Sequence, residues 1–411
     1  MKLKNNISIH NDFYVYKLFF KEPFDIQHTI RIYDTDTQQQ LFCNEIPSIS
    51  QNDINNGFHY YFHFSNSVKN VMVKINDQEK TVYEKNLCID ELTRPIVLIE
   101  RPAGYAGMGD YFFTLPVIKK LSKSFGKKVT VISRHPQIFI NNPYIEKLHV
   151  LSDKDCIESI YEKFDLTNHN LLFDLLPNHD NISLNPNVKF LDNFFLFDIR
   201  QAAAKDCGFQ LTDEELNIEF YPDPFIPIDL PDKYVVINPY ISGVDRDFGR
   251  ENWQTIVDKL NDKQIPVVAI GMPGKYHAVN IRLGRNLCGQ ECQSNLSQTW
   301  HILNNASAFV TFDTGIYVLS GTTDTQIFLI DTYLNPQWHA PYRHGSNKYK
   351  LTIVKGECQE YCLSNIKYYG IDGSRFIQPA VQKCALGYDK FKCMPSAQKI
   401  VDSVVNYWRS V

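Results

Sequence analysis

The sequence predicts an α/β protein of two βα-repeat halves, preceded by a separate β-rich segment. Three observations predict it. Continuous apolar runs such as Ile96-Val-Leu-Ile99 recur after residue 95, as expected of strands buried on both faces. Helix-period apolar spacing and glycine-bearing turns separate those runs. Before residue 95 the patterning is period two instead. At 411 residues the chain exceeds one small core, and two or three domains are expected.

Residues 1–94 form the β-rich domain. His28-Thr-Ile-Arg-Ile-Tyr33 alternates, Asp34-Thr-Asp-Thr37 turns, and Leu41-Phe-Cys43 comes next. Val71, Val73 and Ile75 alternate into Asn76-Asp77, and Lys80-Thr-Val-Tyr83 returns. Two such hairpins predict a small sandwich or barrel, an assembly or interaction module with no chemistry of its own.

Residues 95–230 form the first α/β domain. The run Ile96–Ile99 leads into a glycine turn, Gly104-Tyr-Ala-Gly107-Met-Gly109-Asp110. Phe112, Leu115, Ile118 and Leu121 mark one helix face, and Val129-Thr-Val-Ile132 is the next strand. Leu148–Leu151 and Leu171–Leu175 extend the same sheet. The mixed, Asn/Pro-rich stretch from 178 to 231 holds the hinge.

Residues 231–411 repeat the logic. Strands are expected at Tyr234–Asn238, Pro266–Ile270, Ala308–Phe312 and Gln326–Ile330, with helices over 250–260 and 296–304. A last helix, Ala397 to Arg409, has room to pack back across the interface. Two such blocks leave a cleft between the carboxyl ends of two sheets, where these folds bind ligands.

Composition excludes some classes. A net charge of -4 and a pI near 6.3 leave no electrostatic footprint for nucleic acid. The start MKLKNNISIH has no apolar core of a secretory signal, and no apolar run approaches the roughly 18 residues of a membrane span. A soluble, cytoplasmic protein is expected. Thiols stay reduced there, so clustered cysteines point to metal before disulfides. Cys43, Cys88, Cys156, Cys207, Cys288 and Cys292 are scattered and read as buried free thiols.

Three segments carry chemistry. The first turn is spaced G-x-x-G-x-G, and the second strand ends in Ser133-Arg134-His135 with no acidic residue to hold a ribose. Both features disfavour a nicotinamide enzyme. Asp110 sits at a helix start, where a plain N-cap would also explain it. Asp313-Thr314-Gly315 ends an apolar strand and opens a helix whose amides suit phosphate or sugar hydroxyls; here too a capping aspartate would explain the residue. Arg246, in the loop Ser242-Gly-Val-Asp-Arg246-Asp-Phe-Gly-Arg250, is placed to neutralise a diphosphate. Each signal is weak alone, but the three fall in order, each after a strand.

Taken together they resemble glycosyltransferase family 9, the ADP-heptose heptosyltransferases. The resemblance rests on Gly107-Met-Gly109-Asp110 with Thr114-Leu-Pro116, on Asp245-Arg246-Asp-Phe-Gly-Arg-Glu-Asn-Trp253, and on Asp313-Thr-Gly-Ile-Tyr-Val-Leu319 with Asn335-Pro336. It implies a GT-B fold of two Rossmann-like domains. It also implies Asp110 as catalytic base, with Gly107, Gly109, Arg246, Asp313, Thr314 and Gly315 binding the donor. The front hairpins, leading into Arg94-Pro-Ile-Val-Leu-Ile99, are similar to the bacterial autotransporter heptosyltransferase branch, which modifies serines of adhesins in the cytoplasm. The chain departs from the family at Arg246, Phe248 and Tyr317-Val318, where lysine, tryptophan and Ser-His are usual; the missing histidine bears on donor identity.

The remaining cysteines pair as Cys358/Cys362 and Cys384/Cys393 within a loop over 356–395. Four soft thiolates suit tetrahedral zinc or iron, and this reading is preferred to four free thiols. The resemblance implies iron. Four protein ligands leave no open position, so the metal's role is structural, and no catalytic metal is expected.

The expected activity is therefore inverting transfer of heptose from ADP-heptose to serine hydroxyls of an autotransporter adhesin. The alternatives are another nucleotide sugar, a lipopolysaccharide or glycan acceptor, and an inactive scaffold of the same fold. A metal-dependent nucleic-acid binder is disfavoured by the acidic balance. A homo-oligomer is left open.

Overall fold

The computed structural model describes residues 3–9, 13–20, 28–46, 50, 59–65, 70–77, 80–88, 96–100, 107–152, 171–175, 199–207, 210–240, 247–272, 274, 276–289, 295–332, 336, 350–358 and 392–411. Its first seven strands are β1 (Leu3–Ile9), β2 (Phe13–Phe20), β3 (His28–Asp34), β4 (Gln40–Ile46), β5 (His59–Ser65), β6 (Asn70–Asp77) and β7 (Lys80–Cys88). They make two antiparallel sheets, ordered β1-β2-β5 and β4-β3-β6-β7. Both expected hairpins are present, and β1, β2 and β5 add to them. Asp34 nucleates the first turn, its carboxylate accepting from the amides of Asp36 (2.9 Å) and Thr37 (3.3 Å). Alternation then buries Ile30, Ile32, Val71, Val73 and Ile75 on one covered face.

The first lobe is a parallel sheet in the order β10-β9-β8-β11, from β8 (Ile96–Ile99), β9 (Val129–Ser133), β10 (Ile145–Val150) and β11 (Leu171–Asp174). The single helix expected after the glycine turn is two pieces, α1 (Met108–Phe112) and α2 (Leu115–Phe125). Pro116 has no amide to continue a helix begun at 108, so the chain breaks at Phe113 and restarts with Pro116 in the first turn. A third helix, α3 (Ile199–Asp206), packs on α2.

The chain then crosses between lobes through an irregular stretch. Glu215 and Glu219 pair with Lys120 and Lys119 of α2. A few residues later the Asp223 amide donates to Ser297 Oγ (2.9 Å) and the Ile226 amide to Gln298 Oε1 (3.0 Å), both in the second lobe.

That lobe is a six-stranded parallel sheet, β14-β13-β12-β15-β16-β17. Its strands are β12 (Val235–Ile237), β13 (Val267–Ala269), β14 (Gly284–Asn286), β15 (Ala308–Thr311), β16 (Gln326–Ile330) and β17 (Leu351–Val354). The helices are α4 (Arg250–Asp262), α5 (Leu296–Asn304), α6 (Gly315–Ser320) and α7 (Ala397–Trp408). Two of these strands, β14 and β17, extend the sheet beyond the expected series. The final helix differs from expectation: Ile400, Val401, Val404 and Val405 of α7 are buried in the core of its own lobe, against α4 and β16. Its apolar stripe is used up there. No described helix is long and apolar enough to cross a membrane.

Strand order reverses at β8 in the first lobe, which lies between β9 and β11, and at β12 in the second, between β13 and β15. Ligands of open α/β sheets bind beyond the carboxyl ends of strands at such points. The segments after β8, β12 and β15 carry the three motifs.

Candidate active site

Asp110 is the third residue of α1, and Gly107 is the N-cap. Asp110 Oδ2 accepts from the Gly107 amide at 2.8 Å, reaching back as a capping box does. The aspartate therefore closes the box, and the cap expected there belongs to Gly107. The bond also fixes the direction of the carboxylate at the mouth of the helix. Gly104 and the rest of 101–106 lie outside the described residues.

In the second lobe, too, the cap is not the aspartate but its neighbour. Thr314 is the N-cap of α6, its Oγ1 accepting from the Tyr317 amide at 3.3 Å, and Asp313 precedes it. Asp313 is thereby left at the strand end, directly after Phe312.

The two helix starts meet. A Cβ built on Gly315 would lie 3.0 Å from the Gly109 amide nitrogen and 2.9 Å from Met108 Cε. The turn that carries Gly107, Gly109 and Asp110 in one lobe thus lies against the Thr314-Gly315 turn of the other where α1 and α6 touch.

Arg246 lies outside the described residues, but its loop is anchored from residue 247 onward. Phe248 is buried edge-on between Trp253 (ring centroids 5.6 Å apart) and Phe312 (6.0 Å). Phe312 adjoins Asp313, so the arginine loop and the aspartate share one aromatic anchor. Both ends of 241–246 are also tied to one neighbouring segment. Tyr240 bridges Tyr276, and Asp247 Oδ1 meets His277 Nε2 at 2.5 Å while accepting from the Gly249 amide.

Behind α1 lies a buried carboxylate. Glu100 ends β8 and is 1% exposed. Its Oε1 accepts from Tyr111 Oη (2.6 Å) and Arg134 Nη1 (2.7 Å), and its Oε2 from Ser133 Oγ (2.8 Å) and the Arg134 amide (2.6 Å). Burial alone would raise this carboxyl, but the bonds from Tyr111, Arg134 and Ser133 outweigh it and hold it below its ordinary value. Burial and then Glu100 push the Tyr111 hydroxyl up. The sequence shows no acidic partner after β9; the acid arrives from β8, one strand away. A charge ending a strand otherwise buried was the available signal.

Of the four cysteines read as metal ligands, Cys358 and Cys393 are described, and Cys362 and Cys384 lie outside the described residues. The chain brings the two described ones together: the Gly356 amide donates to the Cys393 carbonyl (2.7 Å) and the Cys358 amide to the Lys392 carbonyl (3.0 Å). This backbone ladder sets the two cysteine-bearing segments side by side, with the Cys393 thiol buried, and soft thiolate donors on paired segments suit a structural zinc or iron site. Burial lowers the neighbouring Lys355 ammonium, while Asp331 and both thiols oppose that shift. Among the described residues no three metal-ligating side chains cluster. Of the scattered cysteines, Cys207 is buried as expected and burial pushes Cys288 up to about 12. Cys43 is exposed, because it sits on the uncovered face of β4.

Residues 179–368 match the sequence model of glycosyltransferase family 9 (heptosyltransferase). The span includes Arg246 and Asp313; Asp110 lies upstream of it. No functionally curated protein matches the chain. Among solved structures, the chain is similar to the iron-containing dodecameric glycosyltransferase TibC from enterotoxigenic E. coli, at 13% identity and a TM-score of 0.59, covering 100% of this chain and 96% of that one. It is equally similar to the heptosyltransferase TibC in complex with ADP-D-β-D-heptose, at 14% identity, a TM-score of 0.59 and the same coverage. A glycosyl transferase family 9 protein from Veillonella parvula is matched at 14% identity and a TM-score of 0.53, over 77% of this chain and 98% of that one. Over residues 179–368 the family model meets the resemblance drawn from the second and third motifs, and the α/β fold with its parallel sheets is similar to that of these solved structures.

Proposed function

We propose that the chain is an inverting glycosyltransferase that moves heptose from ADP-heptose to serine hydroxyls of an autotransporter adhesin. The observation that carries this reading is the meeting of α1 and α6, which sets the Asp110 turn of one lobe against the Asp313 turn of the other. The family match over 179–368 supports the transferase class, and the similarity to TibC supports heptose as the sugar. The β-rich front segment, an addition to the two lobes, supports a protein as the acceptor.

In this reading the acceptor hydroxyl, a poor nucleophile while protonated, loses its proton to the Asp110 carboxylate as it attacks the anomeric carbon. The new C–O bond forms opposite the diphosphate, and the bond to the diphosphate oxygen breaks. Arg246 balances charge growing on the departing ADP, electrostatic help of the kind that dominates many rate enhancements. Asp313 hydrogen-bonds sugar hydroxyls, with the Thr314 and Gly315 amides near phosphate. Cys358, Cys362, Cys384 and Cys393 would hold one iron or zinc ion, which supplies a crosslink between two loops. Gly107 and Gly109 keep the α1 turn open to the donor.

The test is incubation with a serine-rich adhesin passenger and a panel of ADP-heptose, UDP-sugars and GDP-sugars, read by intact mass. Addition of heptose from ADP-heptose alone is expected, with Asp110→Asn losing most turnover while still binding ADP. Near-normal turnover by that variant overturns the assignment of the base.

A further inference from the structure

We propose that Glu100 and Arg134 are positioning residues, a charge-compensated pair that holds the Asp110 turn in place and keeps the field around its carboxylate neutral. The proposal rests on the transferase reading for the role of Asp110, and on geometry alone for the pair.

Three elements are tied to one buried group. Glu100 comes from the end of β8, Ser133 and Arg134 from the end of β9, and Tyr111 from α1; all their bonds converge on the two oxygens of Glu100. Tyr111 is the next residue after Asp110 and is 1% exposed, so its ring and hydroxyl have no freedom to drift. His135 closes the cluster, its ring centroid 4.5 Å from that of Tyr111. A helix of five residues has little stability of its own, and this anchoring compensates for it.

The electrostatic part comes from burial. A lone buried carboxylate beside the base would repel its charge, and a lone guanidinium would attract it. Paired at 2.7 Å, with side chains 2% and 15% exposed, the two largely cancel. The charges of Asp110, Glu100 and Arg134 all reach the Tyr111 hydroxyl, which places them within one electrostatic neighbourhood. The charged or titratable groups that the described contacts place around Tyr111, next to Asp110, are Glu100, Arg134 and His135.

Removing either partner should therefore move the base in opposite directions. The experiment compares Glu100→Gln, Arg134→Gln, Arg134→Lys and the double variant Glu100→Gln/Arg134→Gln. The midpoint of Asp110 is read by carbon NMR on aspartate-labelled protein, assigned with Asp110→Asn, and the acidic limb of kcat/KM is read beside it. Glu100→Gln should lower the midpoint and Arg134→Gln raise it, each by about half a pH unit or more. The double variant and Arg134→Lys should return close to the wild-type value. Shifts of the same sign, no shift in either single variant, or failure of the double variant to restore the midpoint overturns the proposal. If Glu100→Gln does not fold, Arg134→Gln against Arg134→Lys still decides it. Wild-type protein that consumes no sugar nucleotide sinks the transferase reading instead, and the NMR titration then tests the pair by itself.

Discussion

Gly315 sits so close to Gly109 that a methyl group on it would come within 3.0 Å of the Gly109 amide nitrogen and 2.9 Å of Met108 Cε. The Met108 side-chain end can swing aside, but the Gly109 amide is backbone and would have to give by a few tenths of an ångström. The reverse substitution is not symmetrical. A Cβ on Gly109 would meet Gly315 Cα and Val318 Cγ2 at 3.5 Å, ordinary van der Waals contact.

Gly315→Ala should therefore part α1 from α6 and cut kcat/KM at least tenfold, with little change in the unfolding midpoint. A misplacement of about 1 Å at a reacting pair is enough for such a loss. Gly109→Ala should be several-fold milder. Steady-state kinetics and thermal unfolding on the two variants check this, and equal losses would remove the lobe contact from the account.

Phe248 supports the loop that carries Arg246. Truncating a phenylalanine buried between Trp253 and Phe312 leaves a cavity and should cost about 3–5 kcal/mol of stability. Because the same ring braces Phe312, next to Asp313, Phe248→Ala should also raise the KM for donor more than the KM for acceptor. Phe248→Leu, which keeps most of the volume, should recover much of both. Denaturant titration and separate KM measurements decide it; a loss confined to the acceptor would contradict the loop's donor role.

Much of this arrangement was legible in the sequence, and the gaps have physical causes. Runs such as Ile96–Ile99 and Ala308–Thr311 could only be doubly buried strands, and their parallel order comes from the helices between them. The strand β14 was not readable, because Gly284 looks like a breaker. Its φ of 129° and a Cβ that would fall 1.9 Å from the Val267 carbonyl show why glycine is needed there. Asp110 and Asp313 were found by their place after strands, but the caps were assigned one to three residues off, since Gly107 and Thr314 compete for the same role. Glu100 was missed as a partner of Arg134 because the pairing depends on strand register, 34 residues apart.

Acid should loosen the first lobe through Glu100. Its folded-state carboxyl lies below the ordinary value of 4.5, so the stability it contributes is fully present above that value. As pH falls through the lower folded value the group takes up a proton and the contribution disappears. Thermal unfolding monitored from pH 7 to about pH 3 should show a falling midpoint below roughly 4.5, and Glu100→Gln should flatten that part of the curve. Glu215 and Glu219, held low by Lys120 and Lys119 against the effect of burial, act in the same direction at the lobe crossing. An unchanged acid slope in Glu100→Gln would mean that its four hydrogen bonds contribute equally in both protonation states.

The cysteine loop offers a prediction independent of catalysis. The segments bearing Cys358 and Cys393 are joined by backbone hydrogen bonds from the Gly356 amide to the Cys393 carbonyl and from the Cys358 amide to the Lys392 carbonyl, and a Cβ on Gly356 would fall 2.4 Å from the Lys392 carbonyl. That ladder holds the two cysteine-bearing segments side by side. A thiolate site completed by Cys362 and Cys384 would close a loop of some thirty residues, and structural zinc or iron contributes directly to folding. Elemental analysis of purified protein should find about one iron or zinc per chain. Cys358→Ser should release it and lower the unfolding midpoint, and Cys43→Ser, at an exposed thiol outside the ladder, should do neither. Because a four-thiolate site has no open position, chelation should reduce stability before it touches the rate of the remaining folded protein. Metal-free protein of unchanged stability would leave the cysteines as a packed thiol cluster and nothing more.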